Sequence, residues 1–195
     1  MVGGSGLVVP CLEGAVVRLR PFQAIDVDAV REASGDPFIP HITTVPDTDD
    51  AELAAAYLQR QHERARTGTG YSFAIADTHD VAAAGQIGLW LRDLDQGRAS
   101  IGYWVRRSAR RRGYATDALS TLARWAWSLD GIDRLELYVE LWNEGSWRAA
   151  ARAGFTREGV MRSWQAVAGE RRDMFMYSRT RDTDRNPNSP DARAE

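Results

Sequence analysis

The stretch from residue 99 to residue 129 constrains the fold of this chain more than any other. An extended, aromatic-rich segment, ASIGYWV (99–105), runs into an arginine-rich loop, RRSARRR (106–112), and then through Gly113, Tyr114 and Ala115 into a helix over 114–129. Ala115, Ala118, Leu119, Leu122, Ala126 and Leu129 share one face of that helix, so strand and helix must pack on one core. The loop lies where the helix begins. Free amides at a helix N-terminus and the positive end of its dipole make an anion site. Gly113 lets the backbone approach an anion without a Cβ in the way, and Ala115 keeps the first turn small. Arg106, Arg107, Arg110, Arg111 and Arg112 add charge, and the arginine fork suits phosphate oxygens. Such a loop is expected to hold a diphosphate without a metal. Charge alone would read as a solvated arginine face; the order of strand, basic loop, Gly-x-Ala and amphipathic helix favours the anion site.

The rest of the composition narrows the chemistry. All 25 basic residues are arginine, which excludes a Schiff-base lysine and the lysine of a P-loop. Acidic side chains number 27, for a formal charge of −2, so no overall field favours a polyanionic partner. Cys11 has no second thiol to pair with, and His41, His62 and His79 show no metal-binding spacing, so no metal is expected. No apolar run reaches the roughly 18 residues that span a bilayer, and the start lacks the basic and apolar regions of a signal peptide. A cytoplasmic protein with no membrane partner is the expectation.

The 195 residues suit one domain. Residues 1–13 and 181–195 read as loose ends, the second without apolar periodicity, which leaves a folded unit over 14–180. Within it, Ala15–Arg20 reads as a strand, 23–34 as a helix, and 35–50 as irregular because three prolines interrupt it. Asp49 with Glu52 forms a capping box for a helix to about Arg66. After TGTG (67–70) the period turns extended: Tyr71–Ala76, Ala83–Leu91 and Ala99–Arg106 form an antiparallel meander. The helix at 114–129, a strand at Leu135–Leu141, a short helix over Gly145–Ala153 and two strands near Phe155–Arg162 and Arg171–Ser178 complete the order βααβββαβαββ. That is an α+β plan, a mixed, mostly antiparallel sheet flanked by helices.

Arg110, Gly113 and Ala115 match an R/Q-x-x-G-x-G/A signature, and here the chain resembles the GNAT superfamily of N-acetyltransferases, whose loop of that pattern binds the pyrophosphate of acetyl-CoA. Two further blocks agree in order. ASIGYWV resembles the strand whose main chain pairs with the pantetheine arm. LYVELWNEGSWRAAARAGF (137–155), with Asn143, Ser146, Gly154 and Phe155, resembles the family's N-x-x-S segment and alanine-rich helix. Over about 14–178 the combination is similar to the RimJ/RimL-type branch acting on ribosomal-protein N-termini. The resemblance implies a single acetyltransferase domain of GNAT-like fold. It implies acetyl-CoA contacts at Tyr103, Val105, Arg106, Arg110, Arg111, Arg112, Gly113, Tyr114, Ala115 and Thr116, and an acceptor site near Phe38 and His41; Trp142, placed near a turn, is a further candidate to line that pocket.

Acetyl transfer requires a held thioester, an unprotonated amine and a group to receive charge on the departing thiolate. Asn143 is either a ligand of the pantetheine arm or a helix cap, and Ser146 either a donor to the sulfur or a solvent-facing serine in the first helical turn. Members of the resembling branch often carry a glutamate just before I-G-Y-W; here that position is Ser100, which cannot act as a base at neutral pH. The loss is tolerable for some acceptors. An α-amine with a pKa near 7.8 is roughly 10–15% neutral at pH 7, against about 0.04% for a lysine amine near 10.4. Water held by Ser100 or a backbone carbonyl would then serve, and the expected acceptor is a protein N-terminus or a small amine. Glu140 and His41 are further candidate bases. The competing reading is a non-catalytic acyl-CoA-binding module, favoured by the missing glutamate. A nucleic-acid patch at Arg106–Arg112 is disfavoured by balanced surrounding charge and few interleaved aromatics. The late strands and exposed aromatics are compatible with a homodimer.

Overall fold

The computed structural model describes residues 6–185. Its strands are β1 (Leu12–Glu13), β2 (Val17–Arg20), β3 (Gly70–Asp77), β4 (Ala83–Trp90), β5 (Arg98–Val105), β6 (Arg134–Glu140), β7 (Thr156–Val167) and β8 (Glu170–Thr180). The helices are α1 (Val27–Ser34), α2 (Ile39–Ile42), α3 (Ala51–Arg66), α4 (Tyr114–Ala126), α5 (Glu144–Arg152) and α6 (Arg181–Arg185). The strands form one sheet in the order β1-β2-β3-β4-β5-β6-β8-β7, antiparallel throughout except between β5 and β6. This is the mixed, mostly antiparallel plan that the periodicities predict. Among the described residues no helix is long and apolar enough to cross a membrane.

The two faces of the sheet are covered by different helices. Ala118, Leu119, Leu122 and Ala126 of α4 are fully buried in one cluster with Phe73, Ile87 and Leu135, which is the helical stripe read from sequence. On the other face Ala54, Tyr57 and Leu58 of α3 pack with Val30 and Ala33 of α1 against Ala74 and Trp104. Alternation along β5 follows from strand geometry: Ile101 and Tyr103 join the α4 face, Trp104 the α3 face.

Several expectations are corrected. The cap of α3 is Asp50, whose carboxylate accepts from Glu52 N (2.7 Å) and Leu53 N (3.1 Å), while Asp49 pairs with Arg31 at 2.8 Å. The 35–50 stretch holds the one-turn α2, because Pro40 lies in its first turn, where no amide donor is needed. The folded unit extends beyond 14–180. Leu12–Glu13 pairs with β2, Leu7 N donates to Ala65 O at 2.8 Å, and Leu7 and Val9 pack on the core. At the other end Arg181 donates to the carbonyls of Trp127, Leu129 and Ile132, fixing α6. Residues 1–5 and 186–195, the remainder of the predicted loose ends, lie outside the described residues.

A buried ion pair anchors α1 to the sheet. Arg20, 6% exposed, grips Asp26, 0% exposed, through two bonds of 2.8 Å; Asp26 also accepts from Gln23 N and Ala83 N. Removing one partner strands a charge without a counter-ion. Asp26→Ala is expected to lower unfolding stability by about 3–5 kcal/mol, read as a lower urea midpoint with an unchanged slope.

Candidate functional site

The parallel pairing of β5 with β6 lasts three residues: Arg98↔Arg134, Ala99↔Leu135 and Ser100↔Glu136. Beyond it the strands separate, and a cavity of about 500 Å³ opens between Ile101–Tyr103 on one side and Leu137–Glu140 on the other. β5 keeps its pairing with β4, and β6 with β8, so the backbone groups facing the gap lack a ladder partner. A ligand with alternating donors and acceptors can satisfy them as a strand would.

The arginine loop stands at the open end of β5. Arg111 (φ 64°) and Gly113 (φ 81°) both occupy the left-handed region, and α4 begins at Gly113 with no side-chain cap. The first-turn amides of Tyr114, Ala115 and Thr116 therefore face outward without intrahelical partners. The five arginines divide into two groups. Arg106 donates to Glu32 at 2.8 Å and Arg110 to Asp36 at 2.6 Å, while Ser108 N and Oγ also bond Glu32. These contacts fasten the loop to α1, so Arg106 and Arg110 are occupied by protein carboxylates. Arg107, Arg111 and Arg112 are exposed and make no ion pair among the described residues. Tyr114 itself is buried, and its hydroxyl donates to Asp77 at the end of β3, which pins the start of α4 to the sheet. It anchors the helix and does not project beside the loop.

Glu32 has opposing influences. Burial pushes its pKa up, but the donors Ser108 and Arg106 outweigh this and hold it below the ordinary carboxylate value. A depressed carboxyl contributes its stability above the unfolded pKa near 4.3 and loses it as pH falls through the folded value. The loop is therefore fastened throughout the neutral range.

At the mouth of the gap Tyr103 and Ser146 meet. Their hydroxyls are hydrogen-bonded at 2.7 Å, and burial pushes the Tyr103 phenol up to about 12, so it stays protonated at neutral pH. Asn143 caps α5, its Oδ1 accepting from Ser146 N at 3.2 Å, and both residues line the cavity. Glu140 and His41 line it too; Glu140 accepts from Trp142 Nε1 at 2.7 Å. Trp142 packs on Phe38 with ring centroids 4.5 Å apart, both half-exposed. Ser100 falls elsewhere, at the closed end of the wedge between Trp90 and Glu136 and outside the cavity lining. The glutamate absent at 100 has a neighbour in register: Glu136 is buried and accepts from Arg134 Nε (2.6 Å) and the Tyr138 hydroxyl (3.0 Å).

Sequence reasoning passed over the wall opposite. Tyr57, Gln61 and Arg64 of α3 line the cavity at i, i+4 and i+7, a polar continuation of the buried stripe that was legible. Gln86 Nε2 donates to Ser72 Oγ, which donates to Gln61 Oε1, each at 3.1 Å, so this wall is built from side chains with fixed partners. Trp90 also lines the cavity.

The chain belongs to the acetyltransferase (GNAT) domain family, which matches residues 17–156. It is an enzyme of the N-acetyltransferase class. An uncharacterised N-acetyltransferase, p20 of Bacillus licheniformis, is 25% identical over 160 residues, 82% of this chain and 90% of that protein. Two solved structures share the fold. RimL, a ribosomal L7/L12 α-N-protein acetyltransferase in complex with coenzyme A, superposes with TM-score 0.71 at 20% identity, covering 88% of this chain and 98% of the other. Mycobacterium smegmatis RimJ in complex with CoA-disulfide does so with TM-score 0.70 at 23% identity, covering 89% and 87%.

No atom lies within 4 Å of a Cβ built on Gly113, so its requirement is conformational and not steric. Gly113→Val forces a β-branched residue to positive φ and is expected to displace the first turn, weakening CoA binding at least about tenfold by calorimetry.

Proposed function

We propose that this chain transfers the acetyl group of acetyl-CoA directly to a primary amine, a protein N-terminal α-amine or a small amine, within a ternary complex. The observation that carries the reading is the hydrogen-bonded Tyr103–Ser146 hydroxyl pair at the mouth of the gap between β5 and β6. The α4 amides with Arg107, Arg111 and Arg112 bind the pyrophosphate, and Arg106 and Arg110 hold the loop in shape for it. The unpaired β5 edge, from Ile101 to Val105, receives the pantetheine arm as an added strand, with Asn143 beside it. Phe38, His41 and Trp142 border the acceptor entrance.

Attack by the amine nitrogen forms the new C–N bond as the C–S bond breaks, and the electron pair leaves on sulfur. Ser146 donates the proton that the thiolate needs, and Tyr103, held protonated by burial, supplies its replacement. The proton lost by the amine passes to Glu140, directly or through water. Placed in the cavity, Glu140 suits that task better than Ser100, which stands outside the lining. The same reading includes self-association through the β7–β8 arm, which exposes Val160 and Trp164.

Thiol release from acetyl-CoA is the direct test, with N-terminal peptides and small amines as acceptors. Turnover is expected. CoA binding without turnover of any acceptor would favour the acyl-CoA-binding module. Tyr103→Phe and Ser146→Ala should each lower kcat by about 10- to 100-fold while changing CoA affinity less than about threefold. For α-amine acceptors, kcat/KM should rise about tenfold per pH unit below about 7.8 and level above it. Tyr103 is protonated on both sides of that value, so no alkaline loss up to pH 10 is expected from it.

A further inference from the structure

One cation in the cavity wall has no counter-ion. Arg64 makes no ion pair and no side-chain hydrogen bond among the described residues, and its Nη1 is buried without a partner. The guanidinium lies over the Trp90 ring, 4.4 Å from the centroid. Two glycines make room for this arrangement. A Cβ on Gly88 would come within 3.0 Å of Arg64 Nη1, and one on Gly102 within 3.1 Å of the Trp90 ring; the two glycines are paired in register. The acidic side chain in the lining is Glu140, which is bonded to Trp142. Arg92 lines the same cavity and adds a second positive charge. Burial, the larger influence, and Arg92 both push the Arg64 pKa below its ordinary value, while Tyr57 opposes them. A guanidinium stays charged even so, and Arg64 is partly buried with its Nη1 out of reach of water, so an anion beside it would be stabilised.

The position of this charge relative to the reacting groups defines its use. Gly102, paired with Gly88 beside Arg64, and Tyr103 are consecutive on β5 and face opposite sides of the sheet, so Arg64 stands on the α3 side of the wedge at the level where Tyr103 meets Ser146 on the α4 side. We propose that Arg64, with Arg92, binds an anionic group of the acceptor, so that the amine substrates of this enzyme carry a carboxylate close to the amine. The proposal rests on the acetyl-transfer reading of the cavity and specifies the acceptor class for it. Two sources share the chemistry: an acidic side chain next to a peptide N-terminus, and the carboxylate of a free amino acid. The planar fork of arginine suits either one bidentately.

Binding and turnover test the two readings separately. Calorimetry on the CoA-loaded protein compares the acetylated products Ac-Ser-Asp-amide with Ac-Ser-Asn-amide, and N-acetylserine with N-acetylserinamide. The acidic member of at least one pair is expected to bind at least about tenfold more tightly, and the pair that discriminates identifies the source. Arg64→Gln should reduce that ratio to near one with CoA affinity unchanged. Arg92→Gln, at an exposed position that does not threaten folding, should reduce it in the same direction. Equal affinity within both pairs, or a preference that survives Arg64→Gln, overturns the proposal. Thiol release with the corresponding free amines reports on catalysis. Acid-selective binding without turnover would sustain the anion site and count against acetyl transfer; turnover without selectivity would do the reverse.

Discussion

The short parallel pairing of β5 and β6 is the constraint on which the rest of the structure depends. Three residue pairs hold the two halves of the sheet together, and everything beyond Ser100 and Glu136 diverges. Each strand is satisfied on its outer side, β5 by β4 and β6 by β8, so the opening costs the sheet only the inner row of bonds. In exchange, the core of the molecule contains a cavity whose walls are main chain on two sides and side chains of α3 and α5 on the others. A fully zipped pair would bury those backbone groups against each other and leave no gap for a ligand to enter.

The arginine loop illustrates how an all-arginine surface is apportioned. Glu32 and Asp36, at and just past the end of α1, draw in Arg106 and Arg110, and Ser108 adds two more bonds to Glu32. These ties link the α3-side layer to the loop at the start of α4, past the end of β5. Just past these ties Arg111 and Gly113 take left-handed backbone conformations, and the first-turn amides of α4 follow. Arginine suits both tasks because its charge does not titrate and its fork engages carboxylate and phosphate alike.

Much of the fold was legible because periodicity reports burial directly. The α4 stripe, the three-strand meander and the terminal hairpin were each readable from residues that alternate or recur on one face. The misreadings came where one residue competes with its neighbour for a role. Asp49 and Asp50 are both acceptable caps, and the choice fell to Asp50 because Arg31 engages Asp49 from α1. Leu12 gives no periodic signal in a two-residue strand, yet it pairs with Leu19 because β2 offers an open edge.

The sequence by itself determined the layers, the helix that begins at Gly113, the resemblance to one acetyltransferase family, and the absence of lysine chemistry. Those features depend on residue type and on spacing within a few turns, which chain geometry translates without reference to distant segments. Only the tertiary structure decided which arginines are free, that Ser100 lies outside the cavity while Glu140 and His41 line it, and that Arg64 faces the cavity unpaired. Each of those outcomes turns on contacts between segments far apart in the chain, such as Glu32 with Ser108 or Arg64 with Gly88. A charge acquires its role from the counter-ion it meets, and that meeting is fixed by packing.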